Sequence, residues 1–150
     1  MARRPVALVA ALVLFAEAAG IGLLNGFLGL VVDKQAMSLG GLDPRVMSVS
    51  AWVAGGVFGL YLALCGVLLL RAALRDRALG GFARGVLISA AVTHGLLGAF
   101  AVGLVGWLAF GFLMVALGLI VLSLMSYAGE GTGGQTGERT GGHGVQATPA

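Results

Sequence analysis

Between Gly85 and Gly129 the chain carries no Asp, Glu, Lys or Arg. A run of about 45 residues wound as one α-helix would reach ~68 Å, more than twice the ~30 Å hydrocarbon core of a bilayer. Too apolar for water and too long for a single crossing, the run must fold back on itself. The turn falls at Gly103 to Trp107, where Gly103 and Gly106 bracket Leu104-Val105. One membrane helix is therefore expected at 86–105 and another at 108–126, with Trp107 at the outer interface and Tyr127 at the inner one.

Two earlier stretches have the same character. Val6 to Val32 is apolar apart from Glu17 and Asn25, and Val49 to Leu70 has no charge at all. Both exceed the ~20 residues a crossing needs. Asp43-Pro44 reads as a helix start, since Asp accepts unpaired backbone N–H groups and Pro is tolerated at the first helical position. Trp52 lies near the loop end of its span, as interfacial aromatics do. With 59% hydrophobic and only 10% charged residues, against about 25% charged in globular domains, the composition is that of a membrane protein. The fold class expected is all-α: four antiparallel transmembrane helices (about 6–32, 49–70, 86–105 and 108–126) packed as a bundle over residues 1–127. The tail, 128–150, is polar and rich in Gly and Thr. It cannot bury enough apolar surface to offset its ordering entropy, so it is expected to be a disordered cytoplasmic segment.

The basic start and the triplet Ala16-Glu17-Ala18 have the outline of a secretory signal and its cleavage site. A signal's apolar region is only ~7–15 residues long, however, and this one continues to Val32, so a retained helix is expected. Arg3, Arg4, Arg71, Arg75, Arg77, Arg84 and Arg139 fall on one side of the four spans, and only Lys34 and Arg45 on the other. The positive-inside rule then puts both termini in the cytoplasm of a multi-pass plasma-membrane protein. The net charge of +3 comes from these flanking arginines and not from a basic patch, so no nucleic-acid role is expected. The single cysteine, Cys65, excludes a disulfide within one chain and reads as a small buried hydrophobe.

Lipid gives apolar helices no reason to associate, so their contacts rest on small residues that let backbones approach. Ala18, Gly22 and Gly26 recur at four-residue spacing in the first span, with Gly22 and Gly26 forming a GxxxG. Asn25 beside them could hydrogen-bond across the contact. Gly55 and Gly59 form a second GxxxG in the second span, and Ala91, Gly95 and Gly98 share a face of the third with His94. Phe58-Gly59 before Gly66 and Phe110-Gly111 before Gly118 share a spacing that a parallel repeat of two hairpins would produce.

Ionisable groups at membrane depth are costly, and one that is present raises a functional question. Only Glu17 and His94 qualify. Rising from the same side, they come to ~16 and ~12 Å depth at ~1.5 Å per residue, close enough to face each other across the bundle. With Asn25 they form the candidate intramembrane polar site. Glu17 is either a structural hydrogen-bonding group or a titrating proton carrier; the residues alone leave both open. No metal set is expected, because His94 and His143 lie in a span and in the tail, and zinc needs three or four converging ligands. No catalytic set is expected either: Ser89 is one turn from His94, yet no Asp lies inside a span to orient the imidazole. Gly129-Glu-Gly-Thr-Gly-Gly134 satisfies GxGxxG, but a dinucleotide site needs a strand before and a helix after it. Neither cofactor nor enzymatic activity is expected.

The phrases WVAGGVFGLYLALCGVLLL, HGLLGAFAVGLVGW and LGLIVLSL, together with the Arg-, Ala- and Gly-rich usage, resemble uncharacterised small four-span integral membrane proteins of high-GC Gram-positive bacteria. That resemblance covers residues 1–127 and implies no activity. Ala16-Glu17-Ala-Ala-Gly20 is similar to the first helix of the small multidrug resistance transporters, which are four-span proteins with an essential membrane carboxylate that exchanges protons for cationic drugs. The resemblance implies that role for Glu17; the Pro- and Trp-bearing second and third helices of those transporters have no counterpart here. The function expected first is a non-catalytic membrane subunit that binds copies of itself or another membrane protein within the lipid. The alternative is a small proton-coupled transporter using Glu17, with a small-molecule substrate that the residues do not identify.

Overall fold

A computed structural model describes residues 3–35, 41, 43–75 and 79–128. Four helices account for nearly all of them: α1 (Arg3–Gln35), α2 (Pro44–Arg75), α3 (Gly81–Leu104) and α4 (Trp107–Ala128). Each is long and apolar enough to cross a membrane, and the chain is a small multi-pass membrane protein with an antiparallel four-helix architecture. Arg77, Arg139, His143, the GxGxxG match and all of the expected tail beyond Ala128 lie outside the described residues.

The helices outrun the spans that hydropathy marks. The first was expected at 6–32 and the second at 49–70, yet both continue into charged flanks, to Gln35 and to Arg75. Hydropathy records where lipid begins, whereas the backbone ladder continues as long as its N–H and C=O groups find partners. Asp43 starts α2 as its chemistry requires, its Oδ1 accepting the backbone N–H of Arg45 at 2.8 Å ahead of Pro44. The turn between α3 and α4 is two residues long. The N–H groups of Val105 and Gly106 both donate to the Ala101 carbonyl, at 2.9 and 2.8 Å. Gly106 has φ +118°, a conformation that residues with a Cβ rarely adopt.

α1 and α2 form the most extensive pair, α3 and α4 the next, and α4 closes against α1; α2 and α3 touch least. The helices therefore run α2, α1, α4, α3 around the bundle, which sets α1 diagonally across from α3. The α1–α2 seam is built on glycine. A Cβ at Gly59 would stand 3.2 Å from the Ala18 carbonyl oxygen, and one at Gly66 would stand 3.3 Å from that of Ala11. Further along, Gly55 receives the Asn25 side chain. Ser48 Oγ donates to the Gly29 carbonyl at 2.9 Å. The α1 residue number falls as the α2 number rises, which is the register of an antiparallel hairpin.

Packing is uneven along the axis. Ala7, Ala10, Ala11 and Leu14 of α1 are buried with Leu62, Cys65 and Leu69 of α2, Leu87 and Ala90 of α3, and Ala116 and Ile120 of α4. All of these lie in the half of the bundle that carries the chain termini. Tyr127, near the end of α4, is 3% exposed among Ala7, Ala72 and Ala73, because three alanines leave room for its ring. Beyond the middle of the bundle the two hairpins part. The buried residues there are Gly26, Gly29, Ser48 and Gly55 between α1 and α2, with Ala101 on α3 and Gly98 on α3 against Met114 and Phe110 of α4.

Candidate functional site

The fork between the hairpins is occupied by two polar side chains. Glu17 comes from the middle of α1 and His94 from α3, and they meet across the diagonal with His94 Nε2 2.9 Å from Glu17 Oε2. Both are buried, Glu17 at 7% and His94 at 1% exposure. Similar depth on two helices rising from one end made this contact possible; the diagonal placement of α1 and α3 makes it. Leu14 one turn before Glu17 and Ala90 one turn before His94 belong to the apolar core beneath. The pair thus caps the packed half of the bundle.

Hydrogen-bond geometry fixes the number of protons on the pair. His94 Nδ1 lies 2.8 Å from the Ala90 carbonyl oxygen, which can only accept, so Nδ1 carries a hydrogen. The Nε2···Oε2 contact then requires one more proton, on either atom. A neutral imidazole with a carboxylic acid and an imidazolium with a carboxylate both meet that condition, and both have zero net charge. Bonds of this kind limit the cost of a polar group in lipid, where an unpaired one has no water to turn to. One atom remains outside the arrangement. Glu17 Oε1 is buried without a hydrogen-bond partner among the described residues.

Glu17 also lines a cavity of about 700 Å³ that opens above the fork between α1, α3 and α4. Gly20 and Leu24 continue its wall along α1, Leu97 and Phe100 along α3, and Phe112 along α4. Glu17 is the one ionisable residue on that wall, and the other lining side chains are apolar. The volume lies within the ~300–1,000 Å³ range of small-molecule sites, whose usual character is apolar with few placed polar groups.

The remaining expected site residues divide. Asn25 does not join the pair: it lies two turns further along α1, its Nδ2 donates to the Ile21 carbonyl of its own helix at 3.0 Å, and its side chain fills the space over Gly55. Its expected bond across the helix contact is therefore replaced by an intrahelical one, because Gly55 offers space and no side-chain acceptor. Ala18, Gly55, Gly59 and Gly98 sit at helix contacts. Gly26 does too, but as a seat for the Trp52 indole, which also covers Gly29. Ala91 packs partly buried against the core. Gly22 and Gly95 face open space, with nothing among the described residues within 4 Å of a Cβ there. They share a sequence spacing with their neighbours but point past the seam. The repeat-like glycines divide in the same way: Gly59 and Gly66 pack, while Gly111 and Gly118 do not.

Three polar contacts were not legible as motifs. Tyr61 and Ser89 tie α2 to α3 at 2.7 Å, and because the Ser89 hydroxyl donates to the Val86 carbonyl, Tyr61 must be the donor between them. Ser89 is thereby committed away from His94. Ser48 binds across the seam, and buried Ser123 donates to the Leu119 carbonyl of its own helix. Isolated hydroxyls inside spans were the only signal available. Among the described residues no three His, Cys, Asp or Glu side chains converge as a metal site would require.

Comparison with protein-family models, with curated proteins and with solved structures returns no match.

Proposed function

We propose that the protein is a non-catalytic component of a bacterial plasma membrane, with both termini in the cytoplasm, that works by holding a lipid-soluble molecule in the cavity between α1, α3 and α4. One observation carries the reading: a buried carboxyl at the inner end of an apolar cavity, with one oxygen held by His94 and the other unpartnered. A buried acceptor without a donor is disfavoured by about 1–3 kcal/mol, so a ligand bringing a donor relieves that cost. Partnership with a second copy or another membrane protein has less support from the small-residue faces, since Gly26, Gly55, Gly59 and Gly98 are taken up within the bundle. The experiment is native mass spectrometry of the chain released from mild detergent. The reading expects a small molecule retained by the native chain and lost on Gly20→Phe, which places a ring in the cavity at a position with no neighbour within 4 Å of its Cβ. Equal retention by both proteins would refute it.

A second reading, proton-coupled transport with Glu17 as carrier and His94 as partner, draws on the single proton the pair shares. Carbodiimide labelling of Glu17 in native membranes tests it. Reactivity that changes with pH and is competed by a ligand supports transport, and uniformly low reactivity speaks for a sealed contact.

A further inference from the structure

Resting on the cavity-binding reading, the geometry points to a ligand class: we infer that the cavity takes a neutral, single-chain amphiphile whose hydroxyl donates to Glu17 Oε1. The proton count decides the charge. With Nδ1 committed to the Ala90 carbonyl, the Glu17–His94 pair is net neutral in both of its proton arrangements, so it offers a charged ligand no counter-charge. A cation would leave a net positive charge inside the span, or would require the pair to give up its shared proton. Losing that proton would set the Nε2 lone pair against a carboxylate oxygen at 2.9 Å. An anion would meet Glu17 Oε1, itself an acceptor. A neutral donor disturbs neither the charge nor the shared proton, and isolated charge at this depth costs several kcal/mol by the lowest estimates.

Oε1 is an acceptor in both arrangements. It is the carbonyl oxygen of an acid whose Oε2 holds the proton, or one of the two oxygens of a carboxylate. Oε1 is buried on a residue that lines the inner end of the cavity, so the ligand head must part the side chains that cover it. A terminal carboxyl torsion is soft. The rest of the molecule then lies along Gly20, Leu24, Leu97, Phe100 and Phe112. Ala16 to Leu24 spans about 12 Å of helix, which with a volume of about 700 Å³ suits one chain and not the two of a phospholipid.

The test uses the full-length chain in nanodiscs and four probes sharing one tail: hexadecanol, its methyl ether, hexadecylammonium and hexadecanoate. Hexadecanol should bind about tenfold more tightly than the ether, as one hydrogen bond allows, and more tightly than either ion. Glu17→Gln supplies the discriminating variant. Its amide donates to His94 Nε2 and its carbonyl oxygen remains as acceptor, so hexadecanol affinity should stay within about threefold of native, less than the effect of losing one hydrogen bond. Glu17→Leu should erase the preference for the alcohol over the ether. Gly20→Phe should abolish binding of all four. Ammonium binding tightest, blocked by Gly20→Phe and lost in Glu17→Gln, would overturn the ligand class while keeping the cavity reading. Equal binding of alcohol and ether would also overturn it, and binding untouched by Gly20→Phe would overturn both.

Discussion

His94 Nε2 and Glu17 Oε2 stand 2.9 Å apart on helices that otherwise barely touch. Their bond is the direct polar tie across the diagonal of the bundle, at the level where the two hairpins separate. Removing one partner leaves the other without its bond, whereas removing both leaves an apolar contact. Glu17→Leu and His94→Leu should therefore each destabilise the fold, while the double variant costs less than their sum. Interhelical hydrogen bonds in membranes have coupling energies of about 0.6 kcal/mol on average and ~1.7 at most. A double-mutant cycle of unfolding in mild detergent should return a value in that range. A coupling of zero would mean that the bond does not hold the diagonal.

Glycines of one sequence pattern should respond in opposite directions. Gly59→Leu drives a side chain into the α1 backbone at the Ala18 carbonyl, which cannot move as a flexible side chain could. Overpacking of this kind costs about 1–3 kcal/mol. Gly22→Ala meets nothing within 4 Å and gains about 0.5–1 kcal/mol from the stiffer helix backbone. Thermal unfolding of the two variants should move to either side of the native value.

The Trp52 indole rests on Gly26 and Gly29, with Nε1 2.6 Å from where a Gly29 Cβ would sit. Gly29→Ala should expel the ring into lipid. In a Trp107→Phe background, brominated acyl chains should quench the remaining tryptophan more strongly in Gly29→Ala than in its parent. Gly22→Ala should leave the quenching unchanged.

The start of α2 depends on Asp43, whose carboxylate accepts the Arg45 N–H at 2.8 Å. Asp43→Ala should cost about 0.5–2 kcal/mol, while Asp43→Asn, which keeps the acceptor, should remain near native. Chemical unfolding of the two variants distinguishes loss of the cap from loss of the charge.

The number of helices, a turn within Gly103 to Trp107, a helix start near Pro44 and the two ionisable groups inside the spans were all legible in the residues. Each is a local property. Hydropathy sets what can enter lipid, Asp-Pro opens a helix, and a charge-free run too long for one crossing must fold back. Reading the pair as a contact required only similar depth on two helices of the same direction. Spacing alone could not say which glycines face a neighbour, because a helix turns its residues around the axis and neighbours occupy only part of that circle. Hence Gly59 and Gly66 pack while Gly22 and Gly95 do not, and Asn25 bonds its own helix. The cavity is a tertiary property altogether. It arises because α1 pairs most extensively with α2 and α4 with α3, while buried Ala7 and Tyr127 pack together at the end that carries the chain termini. Sequence determined that Glu17 would lie within an apolar span; the parting of the two hairpins decided that one of its oxygens would lack a partner among the described residues, on a side chain that lines a cavity.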